Sequence, residues 1–364
     1  MRTASPRRAL PALTALVCAL LCALFLLHAK AVMDGVASAL SLFAFSVFPA
    51  LFPFFVLTSV LSASGVLTRA GRRCAPLMRL FGLPGEAAGV FLVGAVSGYP
   101  VGARLAAGLH LSQNQTERLV GLANLAGPMF LSGTVAASLL GAPALGWALI
   151  LSQLLAALAA AGVSGALSAR EEATAPAAAP GGSVPAPFRP GTALLDAIAS
   201  GMLAMLRVCG AIVFFSALLC ALRECGFLYL LTLPLKALGL PSALADAMAF
   251  GLFEKTSACA ALASSSLPLA LRAAGCSFFV SFGGLSILAQ TQMFAPVRAS
   301  RYLLFKGVQG LLSALFTYAA ASLLPLAPTA PAGESALWLL PLCCAVLIAL
   351  CLFAGSRRTK KKRL

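Results

Sequence analysis

The sequence predicts an all-α, polytopic integral membrane protein with two inverted repeats, each containing a re-entrant hairpin and broken helices. Three observations predict this fold class. Hydrophobic residues make up 60% of the 364 positions and charged residues only 10%, whereas a soluble domain usually has about a quarter charged residues. The apolar residues form runs near the length of about 20 that a membrane span requires. The two halves of the chain also repeat one order of segments.

The apolar runs divide the chain in order. Ten segments are candidate membrane segments: 9–28, 34–62, 87–109, 118–140, 143–168, 193–222, 243–268, 274–295, 302–325 and 335–354. A cleaved signal peptide is an alternative for the first, but the later segments and the lack of a clean cleavage site favour a transmembrane helix. The predicted units are an N-terminal helix (1–30), a first repeat (31–168), a polar, mobile, cytoplasmic linker (169–190), a second repeat (191–326) and a C-terminal helix with a basic tail (327–364).

A Gly-Leu-Pro turn marks the repeat. It occurs at residues 82–84 and again at residues 239–241, a shift of 157 residues. In each half a long helix precedes the turn, and two interrupted segments and another long helix follow it. Duplicated halves with interrupted helices are typical of secondary transporters.

The distribution of positive charge predicts the topology. If 87–109 and 243–268 are re-entrant hairpins, about eight full spans remain, and both termini and the linker are cytoplasmic. Positive residues then fall on the cytoplasmic side, in the 69–79 loop, in residues 298–306 (Lys306 among them) and in the C-terminal tail. Reading all ten segments as full spans also places both termini inside, but we prefer the hairpins. Nucleic-acid binding by the tail has no supporting motif.

Four breaks interrupt the apolar segments near their middles. They are Ser97-Gly98-Tyr99-Pro100-Val101-Gly102, Asn124-Leu125-Ala126-Gly127-Pro128, Glu254-Lys255-Thr256-Ser257, and Phe282-Gly283-Gly284-Leu285-Ser286 followed by Gln290. Backbone groups freed in hydrocarbon must be satisfied by protein, water or a bound solute, and the N-terminal ends of half-helices attract anions. A single break is usually a plain helix kink, but four breaks at paired positions favour a shared solute site near the midplane.

Three ionisable residues in these segments are candidates for contact with the solute. Charged groups inside a membrane are costly and usually functional. Glu254 and Lys255 reach one cavity if the backbone unwinds there; otherwise they lie in headgroup water at a hairpin tip. Arg104 is either a substrate-binding cation or a snorkelling side chain. Because equivalent breaks of inverted repeats meet at the midplane, we expect Gly98 and Lys255 to approach each other.

The breaks and these charges together define the predicted site. The expected solute-binding residues are Ser97, Gly98, Tyr99, Pro100, Arg104, Asn124, Gly127, Glu254, Lys255, Thr256, Gly283, Gly284, Ser286 and Gln290. No Walker loop and no nucleophile–His–acid set occurs, so we expect no enzymatic activity. The eleven Cys lie mostly in apolar runs without a CxxC pair, and there are only two His. We therefore expect no metal site, disulfide framework or cofactor.

The breaks also carry a family resemblance. The motifs are the Phe48-Pro49-Ala50-Leu51-Phe52-Pro53-Phe54-Phe55 run, Ser97 to Ala103, Asn124 with Gly127-Pro128-Met129-Phe130, Gly251 to Thr256, and Phe282 to Ser286 with Gln290. In this order they resemble the sporulation integral membrane protein family, whose halves are of the nucleoside-recognition or Gate type. The similarity covers about residues 30 to 325. Lys255 departs from the pattern, because an apolar residue is expected there.

The resemblance implies a multi-span protein of spore-forming Firmicutes that acts late in spore formation. The family is associated with moving dipicolinic acid toward the developing spore, and Gate domains look like the hairpin cores of concentrative nucleoside transporters. The departure at Lys255 leaves the substrate open, although an added cation suits a dicarboxylate.

Three function hypotheses follow from the residues and the resemblance. The first is a secondary carrier or facilitator for a small anionic solute, with dipicolinic acid in first place. The second is a carrier for a nucleoside or other polar metabolite, and the third is a sporulation membrane scaffold without transport. The expected partners are the lipid bilayer and the anionic solute, with a coupling ion and a homo-oligomer left open and no nucleic acid. The expected location is the cell membrane, multi-pass, with the outer forespore membrane as one option.

Overall fold

The computed structural model describes residues 6–66, 74–172 and 188–323. Within these ranges the chain forms helices and turns and no β-strand, which confirms the all-α class. The first half contains α1 (Pro6–Leu27), α2 (Ala29–Leu42), the π-helical segment π1 (Phe43–Val47), α3 (Phe48–Ala63), α4 (Ala75–Leu80), α5 (Ala87–Ser97), α6 (Val101–Ala107), α7 (Gln113–Ala123), the π-helical segment π2 (Phe130–Leu139) and α8 (Leu145–Glu172). The second half contains α9 (Pro190–Glu224), α10 (Phe227–Ala237), α11 (Ser242–Phe253), α12 (Lys255–Ala263), α13 (Leu269–Phe282), α14 (Gly284–Gln292) and α15 (Ala299–Leu323).

The order of elements repeats between the halves. In the first half the short α4 is followed by the broken pair α5/α6, the broken pair α7/π2 and the long α8. In the second half the short α10 is followed by α11/α12, α13/α14 and the long α15. The segment order expected from the Gly-Leu-Pro turns is therefore present, while the inverted orientation of the two repeats stays a prediction.

The two Gly-Leu-Pro turns have one local structure. The helix before each turn ends in a left-handed glycine, Gly82 with φ 62° and Gly239 with φ 83°. The next amide donates to the carbonyl five residues earlier, over 3.0 Å from Leu83 and 3.2 Å from Leu240. This is the Schellman helix end, which requires a residue that tolerates positive φ. The proline that follows cannot continue the helix.

Four helical segments in the described ranges are long and apolar enough to cross a membrane: Leu145–Gly165, Pro190–Glu224, Leu269–Gln292 and Ala299–Leu323. A fifth span results if α1 and α2, which meet at 93°, act as one. Segments 87–109 and 243–268 consist of helices shorter than a span, in keeping with the hairpin interpretation. The 335–354 segment, the basic tail and most of the linker lie outside the described residues, and the total of about eight spans stays a prediction.

One buried core joins the halves. Leu288 and Tyr302 of the second half lie in the same apolar cluster as Leu119 and Leu122 of α7. The long helix α15 packs along α13 and also contacts α8 and α7 of the first half. This packing places the breaks of the first half directly against the second half.

Candidate functional site

The break between α5 and α6 is a sharp turn at Gly98. Its φ of 84° and ψ of 176° lie in a region that is essentially restricted to glycine. A Cβ at this position would lie 2.7 Å from the backbone nitrogen of Gly127. Next to it, the amide of Tyr99 donates to the carbonyl of Leu125 over 2.6 Å. The two breaks of the first half therefore pack together and satisfy freed backbone groups, as hydrocarbon surroundings require.

Asn124 ends α7 and links the first half to the second. This residue is buried, and its Nδ2 donates to Thr291 Oγ1 over 2.8 Å and to Tyr302 Oη over 2.9 Å. Gln153 of α8 supports the neighbouring backbone, because its amide group accepts from the Ala126 N–H and donates to the Ala126 carbonyl, both over 3.1 Å. Side chains from α8, α14 and α15 therefore hold this break in place.

Glu254 caps the N-terminus of α12. Its backbone is extended, with φ −148° and ψ 124°. Its Oε2 accepts hydrogen bonds from the amide of Ser257 over 2.8 Å and from the Ser257 hydroxyl over 3.3 Å. We expected half-helix N-termini to attract a solute anion; at α12 the chain's own carboxylate occupies that position.

Lys255 contacts the first half. The backbone is extended at Glu254, and the two neighbouring side chains make different contacts. Lys255 Nζ lies 4.7 Å from the centroid of the Tyr99 ring and 4.8 Å from that of Phe130, within the range of a cation–π contact. The residue is 8% exposed and is not ion-paired with a carboxylate in the described part of the chain. Lys255 in the break of the second half thus contacts Tyr99, the residue that follows Gly98 in the break of the first half.

The break between α13 and α14 packs against α11. Gly283 and Gly284 both have positive φ, and Gly284 lies against the carbonyl of Gly251, shortly before the α11/α12 break. Within α14, the buried Gln290 donates from Nε2 to Ser286 Oγ over 3.3 Å. Three other predicted residues lie directly beside the breaks: Ser97, Pro100 and Thr256.

Arg104 makes its contacts away from the Lys255 junction. Its guanidinium donates to Ser59 Oγ over 2.8 Å and to Ser200 Oγ over 3.1 Å. Its Cζ also lies 5.1 Å from the centroid of the Phe55 ring. Arg104 and Lys255 therefore have different contacts in the described structure, although both were predicted to bind the solute. Arg104 is four residues after Pro100, which corresponds to a rise of about 6 Å along the helix axis of α6.

A cavity of about 270 Å³ lies beside Arg104. It is lined by Arg104, Ser200, Leu203, Ala204, Arg207, Met293 and Phe294. The Arg207 Cζ lies 6.0 Å from the centroid of the Phe294 ring. Sequence reasoning missed Arg207, although an arginine near the middle of the 35-residue apolar α9 is the kind of charge that marks a functional position in a membrane.

Lys306, which was grouped by sequence with the positive residues of the cytoplasmic side, is buried in the core. The residue is 2% exposed on α15. Its Nζ donates to the carbonyls of Gly121 and Asn124 over 2.9 and 2.6 Å and to Gln309 Oε1 over 2.8 Å. In the sequence, a lysine near the start of a helix looks the same as a lysine in the preceding loop. Only the packing of the helix decides whether the side chain is buried.

An ion pair joins the halves at the polar start of α7. Arg298, in the turn before α15, binds both carboxylate oxygens of Glu117, with Nε to Oε1 at 2.7 Å and Nη2 to Oε2 at 2.8 Å. Gln113 Nε2 donates to the same carboxylate over 3.0 Å. Burial raises the pKa of Glu117, but the hydrogen bonds from Arg298 and Gln113 outweigh it and lower the pKa to about 2.

This pair predicts an acid-sensitive contribution to stability. A carboxyl group with a lowered pKa stabilises the fold above its ordinary pKa, and the contribution is lost as pH falls from about 4.5 toward about 2. We expect Glu117→Gln to lower the Tm in detergent at neutral pH and to flatten the acid side of the Tm profile. Asp246→Asn is the control. It removes a carboxylate that pairs with Lys236 and is more exposed than Glu117, and it should keep the wild-type profile. An unchanged profile in Glu117→Gln would contradict the assignment.

Comparison with known proteins confirms the resemblance noted in the motifs. Residues 44–203 match the Gate family, described as nucleoside recognition. The chain is 29% identical over 315 residues to the sporulation integral membrane protein YlbJ of Bacillus subtilis (strain 168), which covers 79% of this chain and 77% of that protein. No solved structure matches the chain. The Gate match contains both breaks of the first half and Arg104, whereas the breaks of the second half lie beyond it.

Proposed function

We propose that this chain, an integral membrane protein of the sporulation type with a Gate match over residues 44–203, is a secondary carrier or facilitator for a small anionic solute. Dipicolinic acid is the leading candidate. The observation that carries the proposal is the ammonium of Lys255, which is buried where the breaks of the two halves meet and makes no direct ion pair with a carboxylate among the described residues.

The surroundings of Lys255 favour an anionic solute. A buried cation without a direct ion-pair partner is costly, and the nearby Glu254 carboxylate already accepts two hydrogen bonds from Ser257. The rings of Tyr99 and Phe130 stabilise the ammonium only in part. A solute carboxylate would supply the missing charge through a charge-assisted hydrogen bond.

The same surroundings favour an aromatic acid. The hydroxyl of Tyr99 is buried and lacks a hydrogen-bond partner within the described ranges. A phenolic donor beside an ammonium suits the two oxygens of one carboxylate. Tyr99 and Phe130 also bring two aromatic rings to this junction, and aromatic rings pair favourably with planar aromatic groups.

The arginine cavity supports a solute with more than one acidic group. Arg104 and Arg207 line it together with Phe294, so cationic donors and an aromatic ring occur there as they do at Lys255. Arginine donates in a planar fork that matches carboxylate geometry. The helix α6 follows the Gly98 break, where Tyr99 contacts Lys255, and it carries Arg104. This helix therefore runs from the Lys255 junction to the arginine cavity.

A nucleoside carrier is the second candidate, and the description of the matching family as nucleoside recognition favours it. The two candidates differ in charge, so competition separates them. Proteoliposomes containing the purified chain should take up labelled dipicolinic acid, and excess unlabelled aromatic dicarboxylate should suppress that uptake while nucleosides do not. Protein-free liposomes provide the baseline. Uptake of nucleosides alone would favour the second candidate, and flux of neither solute would favour a scaffold.

A further inference from the structure

The break at the end of α7 leaves backbone oxygens without backbone donors. In a continuing helix the Gly121 carbonyl would accept from the amide of Leu125, but that amide donates to the carbonyl of Ala123 over 3.1 Å. The Asn124 carbonyl would face the residue at position 128, which is a proline and has no N–H. Two oxygens at the negative end of α7 therefore face the core.

The ammonium of Lys306 occupies the space between these oxygens. Its three N–H donors match three acceptors: the carbonyls of Gly121 and Asn124 at 2.9 and 2.6 Å and Gln309 Oε1 at 2.8 Å. All three acceptors are neutral, and the ring of Tyr302 lies 5.8 Å away. The charge is thus held by oxygen dipoles and a helix end, without an ion-paired carboxylate in the described part of the chain.

This donor set is the one that membrane proteins use for monovalent cations. Carbonyl oxygens of unwound backbone and the C-terminal ends of half-helices replace the hydration shell of Na⁺ or K⁺. Asn124, which supplies one of these carbonyls, also has a side-chain oxygen, Oδ1, that is buried and has no hydrogen-bond partner within the described ranges. We propose that the carbonyls of Gly121 and Asn124, with Gln309 Oε1, form a monovalent-cation site in which the Lys306 ammonium is a resident cation.

A resident cation has a structural consequence. The two carbonyl oxygens lie at the end of α7 in the first half and the ammonium on α15 in the second, 182 to 185 residues away in sequence. A covalently attached cation cannot dissociate, so the contact between the halves holds at any salt composition. The fold should therefore be indifferent to Na⁺ and K⁺, and a variant that lacks the ammonium should become dependent on them.

Lys306→Ala tests the proposal, with Lys306→Met as the matched control. Alanine leaves the oxygens and an empty space, whereas methionine fills the space with an apolar chain. Thermal unfolding in detergent is measured in NaCl, KCl and N-methylglucamine chloride at equal ionic strength. Wild type should have one Tm in all three salts. Lys306→Ala should be destabilised in N-methylglucamine, and Na⁺ or K⁺ should raise its Tm saturably, by about 5 °C near saturation. Lys306→Met should gain nothing from either ion.

Three outcomes would overturn the proposal. If Lys306→Ala has the same Tm in the three salts, the oxygens do not form a cation site. If wild type responds to Na⁺ as strongly as the variant, the lysine does not occupy the site. If Lys306→Ala aggregates in N-methylglucamine, extraction in Na⁺ or K⁺ should restore a monodisperse peak, and aggregation in every salt contradicts the site. The readout is stability, so the result does not depend on which solute the chain carries.

Discussion

Lys255→Met should reduce uptake of an anionic aromatic solute at least about tenfold, which corresponds to a loss of about 1.4 kcal/mol of binding free energy. The expected loss is this large because a buried, charge-assisted hydrogen bond disappears and no other cation contacts the Tyr99 and Phe130 rings in the described structure. Methionine keeps the length of the side chain and packs well on aromatic rings. The variant should therefore reach the membrane at the wild-type level. Initial uptake rates in proteoliposomes measure the effect.

Lys236→Met is the matched control for this substitution. Lys236 pairs with Asp246 over 2.9 Å, and its side chain is 30% exposed. It also lies over an aromatic ring, that of Tyr229 at 5.6 Å. The control thus removes the same charge from a similar ring contact outside the junction, and it should leave uptake unchanged. Wild-type uptake by Lys255→Met would remove Lys255 from the solute site and reduce it to a packing residue.

Gly98→Ala should strongly destabilise the first half. Alanine is disfavoured at φ 84° and ψ 176°, which costs about 1–3 kcal/mol for the backbone alone. In addition, the new Cβ would lie 2.7 Å from Gly127 N and 2.9 Å from Gly127 Cα. Both neighbours are backbone atoms within a second break, so neither can rotate away. We expect a large loss of monodisperse protein after heating in detergent. Gel filtration of the heated sample measures this loss.

Gly141→Ala separates the two causes. Gly141 also has positive φ, 64°, but a Cβ there would meet open space. This control should lose only the modest cost of a left-handed alanine, about 1–2 kcal/mol. Gly98→Ala should be clearly less stable than Gly141→Ala. Equal stability of the two variants would mean that the breaks of the first half do not pack as closely as the structure shows.

Local chemistry made part of this architecture predictable. Gly and Pro favour helix ends when they cluster, so the breaks at Gly98 and Gly283 and the repeated Gly-Leu-Pro turns could be read from the chain. The contact between the two halves also followed from the repeat, because freed backbone groups need partners. Lys255 lies against Tyr99, beside the expected position.

The remaining predictions depended on depth and direction, which a linear pattern does not contain. Arg104 bonds to Ser59 and Ser200, and Arg207 shares its cavity, because α3 and α9 pack on that face of α6. Glu254 is engaged by its own helix end rather than left open to a solute.

The sequence by itself determined that this protein is helical, membrane-embedded, repeated and broken at defined points, because composition and backbone chemistry act locally. Only the tertiary structure decided what each charge does. Lys306 looks like one more cytoplasmic cation in sequence, yet it lies in the core and caps the carbonyls of Gly121 and Asn124. The break at the end of α7 in the first half leaves those oxygens without backbone donors, and a lysine on a helix of the second half donates to them. The energy of a buried charge depends on such distant partners, and folding alone brings them together.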